Sequence, residues 1–205
     1  WQRIFPKLIS LAKLKNHSAA GITLSMKNMF GITPNSRYSV NAGDENTTSG
    51  RMPLHGFGFW RRHRQPAIEL PGAKEGNFPN RQSYRIPRII VDLCAARPVD
   101  IAIIDGITSI SGGEGPWCRG VRETSPGILI TGFNPVSADA VGTAVMGYEN
   151  PLAESSVKPF EDGDNHILLA QQAGLGTGDL SKIEVRGLSI GEAKCPYERE
   201  QTKTG

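Results

Sequence analysis

Residues 86–107 read IPRIIVDLCAARPVDIAIIDGI, and the order of their two halves decides the fold class. Pro87 suits the first turn of a helix, Ile86, Ile89, Ile90 and Leu93 recur on one face of it, and Pro98 ends it. The run VDIAIIDGI over 99–107 is then short, apolar and closed by Asp105-Gly106, as a buried parallel strand would be. Working outward, residues 4–15 read as a strand. Ser18 as N-cap, Ile22, Met26 and Met29 at helical spacing and Gly31 as C-cap predict a helix after it. Downstream, 127–133 read as another buried strand, and Asn134-Pro135 open a helix over 135–147. Asp164 is expected to cap a further helix ending at Gly174 or Gly176, and 182–186 to form a last strand. Strands alternating with helices make an α/β chain, with a mostly parallel or mixed sheet flanked by helices in a single domain over 1–205. The run SISGGEGPWCRG over 109–120 is read as irregular.

One stretch breaks the alternation. Residues 32–85 hold only five Ile, Leu or Val, against ten in the 22 residues that follow, so they read as a long irregular insertion with little to give a core. This insertion carries eight basic and four acidic residues, so the formal +3 of the 205-residue chain is a local +4 set against −1 on the body. The charge therefore argues against a nucleic-acid-binding surface, although FGFWRRHR over 57–64 interleaves aromatics with arginines. No uncharged apolar run approaches the ~18 residues of a membrane span. Cys94, Cys118 and Cys195 form no C-x-x-C pair, which excludes a zinc ribbon or an iron-sulfur ligand run within this sequence. The chain opens on Trp1 rather than Met, the expectation being a piece of a larger or processed protein.

Two clusters carry the candidate chemistry. Lys13, Lys15 and His17 alternate along an extended segment and so point to one side; Thr23 and Lys27 are expected one turn apart on the helix that follows, with Asn28 beside them. Cations gathered where a helix begins favour a carboxylate or phosphate, and crowding would prepare Lys27 as a nucleophile or His17 as a neutral base. The alternative is a solvated strand edge whose lysines deter aggregation. The second cluster is Asp105 at its strand end with Gly112, Gly113, Glu114 and Gly115 in the loop beyond. Ligands of open α/β sheets bind at such carboxyl ends, and glycine amides can approach an anion closely. Asp105 and Glu114 could bind a metal or move protons there, with Asp139 reaching the same region; the alternative is a tight turn capped by Asp105. His55, His63 and His166 share no metal-ligand spacing and are read as surface or loop residues.

Three segments, AKLKNHSAAGITLSMKNMFGITP (12–34), residues 86–116 and GFNPVSADAVGTAVMG (132–147), resemble the domain of unknown function 362 family. The K-x-K-x-H, G-x-T and K-N element of Lys13 to Asn28 carries most of that likeness; Ala12 stands where the family tends to have Pro. The resemblance implies more chain before this element and association with ferredoxin-type iron-sulfur modules. An iron-sulfur cluster would then sit on a missing segment or a partner. It leaves the compartment open between cytoplasm and export under a twin-arginine signal absent from this sequence.

His17-Ser-Ala-Ala-Gly21, followed by Lys27 ten residues after His17, is also distantly similar to an element of the lactate racemase family. That likeness implies a nickel-pincer nucleotide held by Lys27 with His17 moving the proton. That family's further nickel-ligating histidine has no evident match here, His55 being nearest at a different spacing. The expected function is thus a small-molecule enzyme or enzyme-like domain for an anionic metabolite. The alternatives are an iron-sulfur-associated electron-transfer accessory or interaction module docking a ferredoxin-like partner through 51–64, or nickel-pincer racemase-like proton or hydride transfer.

Overall fold

The structure, a computed structural model, describes residues 7–38, 43–46, 85–154, 157–161 and 163–197. The basic run at 57–64, His55, His63 and most of the 32–85 insertion lie outside them. Within them the chain is α/β, a mixed sheet flanked by helices.

The sheet has three strands: β1 (Ile9–Lys13), β4 (Ile101–Gly106) and β7 (Ile128–Gly132), in the order β1-β4-β7. β1 runs parallel to β4, in a register that sets Lys13 opposite Asp105, and β7 runs antiparallel to β4. The apolar run at 99–107 thus becomes the central strand. β7 is a half-exposed edge strand rather than a buried one, so the sheet is mixed rather than mostly parallel. On β1 the small Ser10 and Ala12 face inward, while Ile9 and Leu11 point to the open side of the sheet.

Between β1 and the first helix the chain makes a hairpin, β2 (Lys15–His17) and β3 (Gly21–Thr23), pairing Lys15 with Thr23 and His17 with Gly21. The helix expected from Ser18 is therefore confined to α1 (Ser25–Asn28), extended by a 3-10 turn over Met29–Ile32. Ile22 and Met26 satisfy a period of two with Leu24 as well as a helical one with Met29, and the strand reading prevails. Gly21 explains why: it takes φ +78°, and a Cβ there would lie 2.7 Å from both the Phe160 ring and the Pro159 carbonyl oxygen. Thr23 and Lys27 consequently do not share a helix face; one is on β3, the other on α1.

Among the described residues two α-helices follow: α2 (Asn35–Tyr38), then α3 (Ile86–Ala96), which has Pro87 in its first turn and buries Ile86, Ile90, Val91 and Cys94. The glycine-rich run contains a short ladder, β5 (Ser109–Ser111) against β6 (Arg122–Thr124), and is thus not wholly irregular. α4 (Pro135–Val145) begins as its sequence predicts, with the Asn134 side chain accepting from Ser137 N–H, and is buried on nearly every side. Its small residues let β4, α1 and later elements approach together; a Cβ on Gly142 would stand 3.0 Å from Leu24.

α5 (His166–Gln172) is capped by Asn165, whose side chain accepts from Ile167 and Leu168 N–H, so the cap is one residue later than expected. Asp164 instead pairs with Arg88 at 2.8 Å. The strand expected at 182–186 does not form. Ile183 is extended, but without a neighbouring ladder among the described residues the segment stays a loop. α6 (Ile190–Ala193) opens with a Ser189–Glu192 capping box, and Cys195 and Tyr197 then bond back to Val145 and Met146 at the end of α4. The core gathers between sheet and helices around Leu14, Ile22, Leu24, Met26, Ile90 and Ile104. No helix among the described residues is long and apolar enough to cross a membrane.

Candidate functional site

At the carboxyl ends of β1 and β4 the two charged clusters of the sequence meet. Lys13 Nζ donates to Asp105 Oδ2 at 2.6 Å and to the Thr108 carbonyl at 2.9 Å. Asp105 also accepts from Ile107 N–H, and the Lys13 ammonium followed by that amide holds its carboxyl below the ordinary range. Lys15 Nζ donates to the Glu114 carbonyl at 2.7 Å. The Glu114 carboxylate accepts from Ser18 twice, from its N–H and its hydroxyl, at 2.8 Å each. Burial pushes the Glu114 carboxyl up, but the Ser18 amide, the neighbouring His17 and the Ser18 hydroxyl outweigh it and hold it near 2. Ser18, expected as a helix cap, thus serves a carboxylate 96 residues away.

The hairpin turn also orients His17. Ala19 and Ala20 N–H both donate to its Nδ1, at 3.1 and 3.2 Å. That nitrogen therefore carries the lone pair in the neutral ring, and the proton sits on Nε2, making Nε2 a donor. Asn16, fully buried, ties the glycine loop to the body: its Oδ1 accepts from Gly112 N–H at 3.1 Å and its Nδ2 donates to the Tyr148 hydroxyl at 2.8 Å. Gly112 has φ +86°, and a Cβ there would meet the Gly120 carbonyl at 2.6 Å, so the loop's own folding already accounts for that glycine. Gly113 and Gly115 lie in the same loop and carry Glu114 between them.

Lys27 lies on α1 with its ammonium 4.3 Å from the centre of the Phe30 ring. Asn28 turns the other way and donates to Ser10 Oγ and the Leu11 carbonyl, fastening α1 to β1. Asp139 faces the start of α1, where it accepts from Ser25 N–H, Ser25 Oγ–H and Met26 N–H at 2.8, 2.5 and 2.9 Å. Its carboxylate is therefore occupied away from the glycine loop. Burial lifts its carboxyl to about 7 even though those three donors oppose the rise. Burial, followed by the nearby Asp139, also raises the Cys94 thiol to about 12, which keeps it unreactive. All three cysteines are free. Among the described residues no group of three or more His, Cys, Asp and Glu could hold a metal ion.

Two groups at this site were not singled out in the sequence. Asn16 carries no signal of its own. His166, read there as a surface or loop residue, is fully buried. Its signal lay in periodicity, since His166, Ile167 and Ala170 share the inward face of α5.

Neither the curated proteins nor the solved structures contain a match to this chain. A family model described as "Domain of unknown function (DUF362)" matches residues 5–144, a span that holds β1, the hairpin, the glycine loop and most of α4. The chain belongs to the domain of unknown function 362 family.

Proposed function

We propose that this domain binds a small anionic ligand, a carboxylate or a phosphorylated metabolite, and acts on it as an enzyme or enzyme-like module. One observation carries the reading: Lys13, Lys15 and His17 converge with Asp105 and Glu114, from stretches more than 90 residues apart, beyond the carboxyl ends of two parallel strands. In this reading the Lys13–Asp105 pair and the Lys15, Ser18 and Glu114 contacts form the frame. His17 offers its Nε2–H as donor or acid, its tautomer fixed by the hairpin amides, and Lys27 supplies the cationic charge.

The test is a thermal-shift and calorimetric panel of inorganic phosphate, pyrophosphate and short dicarboxylates, followed by a turnover screen on any ligand that binds. Wild type should gain stability with at least one anion, and His17→Ala and Lys27→Ala should each lose most of that gain. Equal responses from both variants would remove these residues from the site.

A further inference from the structure

The hairpin face that carries His17 and Gly21 also meets the segment leading into α5. There Phe160 packs against Gly21, the register partner of His17, and stands edge-on to His166 with ring centroids 5.6 Å apart. His166 is fully buried, and among the described residues neither of its ring nitrogens has a hydrogen-bond partner. Burial, then Lys27 and His17, hold its pKa down to about 3, so the ring is neutral and offers one N–H and one lone pair. Thr23 Oγ is likewise buried and unpartnered, on the hairpin face that carries Lys15 and His17. Natural folds rarely leave such groups unmet, and a buried imidazole within the field of Lys27 and His17 is what an oxyanion would satisfy.

The geometry points to His166 as a ligand-contacting residue that, with Thr23 and Lys27, lines a site for one small oxyanion between the hairpin and α5. The inference rests on the anion-binding reading and deepens it, adding a group from outside the family match at 5–144. Phosphate and carboxylate share the chemistry these donors select.

The experiment titrates the whole chain, labelled with 15N at histidine, with inorganic phosphate and separately with succinate, following the imidazole nitrogens by NMR and affinity by calorimetry. The His166 nitrogens should move with the same midpoint as the heat. His166→Phe, which keeps a ring and removes both polar atoms, should melt no lower than wild type without ligand and bind about tenfold or more weakly, as loss of a hydrogen bond to a charged group predicts. His166→Asn, which keeps one donor and one acceptor on a shorter stem, should fall between. Response to phosphate alone assigns a tetrahedral oxyanion, and response to succinate alone assigns a carboxylate. Unmoved His166 nitrogens on a wild type that binds, or variants that bind as wild type does, would overturn the role of His166 and leave the anion-binding reading standing. A wild type that binds neither probe overturns both.

Discussion

Glu114 in the glycine loop and Asp139 inside α4 are held by the same device, a serine that gives both its N–H and its hydroxyl to one carboxylate. They nevertheless titrate in opposite directions, Glu114 near 2 and Asp139 near 7. Glu114 is half-buried beside His17, so donors and a neighbouring charge prevail over desolvation. Asp139 is fully buried, and desolvation prevails over three donors. The same serine device thus yields a charged rim and a neutral interior, and the depth of burial decides which.

The largest blow to this contrast is Asp139→Ala. It leaves Ser25 N–H, Met26 N–H and Ser25 Oγ without an acceptor in a closed interior, and should lower stability by about 3 kcal/mol in urea unfolding. The gentler Asp139→Asn tests the sign. Because the folded carboxyl keeps its proton up to about 7 while the unfolded one releases it near 4, Asp139 contributes stability below about pH 4 that is lost as pH rises toward 7. His166 works the other way: its folded pKa of about 3 lies below the unfolded value, so its contribution is lost as pH falls from about 6.5 toward 3. Unfolding from pH 4 to 7 should therefore show stability rising more steeply with pH in Asp139→Asn than in wild type. An unchanged slope would mean that Asp139 is ionised in the fold.

Next in size is Gly21→Ala, which forces a side chain into φ +78° and against Phe160. It should cost about 2 kcal/mol, read as a lowered melting temperature, and loosen the turn that aims Ser18 at Glu114. Glu114→Gln should cost about 1 kcal/mol, discounted for its partial exposure. It should also remove the loss of stability that wild type suffers as pH falls from about 4.5 toward 2. Smallest is Leu11→Thr on the open side of the sheet, away from both carboxylates. A change within about 0.5 kcal/mol is expected, and a larger one would show that this face is covered.

The helices at 86–96 and 135–145 and the central strand were legible because each had strong local punctuation: Pro87 and Pro98, Asp105-Gly106, Asn134-Pro135. The hairpin was not, because Ile22 and Met26 alternate with Leu24 yet also keep helical spacing with Met29, and only the approach of Phe160 to Gly21 separates the two readings. The failed strand at 182–186 follows the same logic in reverse: alternation gives extended backbone, but a ladder needs a neighbour that local sequence cannot supply. For the site, the alternation of Lys13, Lys15 and His17 and the strand-end position of Asp105 were readable. Pairing Glu114 with Ser18 was not, since it depends on a turn conformation that the sequence assigned to a helix.

The helix α4 has one more consequence, in the timing of synthesis. Its walls come from both directions along the chain: α1, β4 and β7 before it, α5, α6 and the backbone bonds of Cys195 and Tyr197 after it. As a polypeptide leaves the ribosome from its N-terminus, Pro135–Val145 emerges when only half of its surroundings exist. Until residue 197 arrives, the most enclosed of the described helices is half uncovered, and any chaperone that recognises bare apolar helix would find its target there.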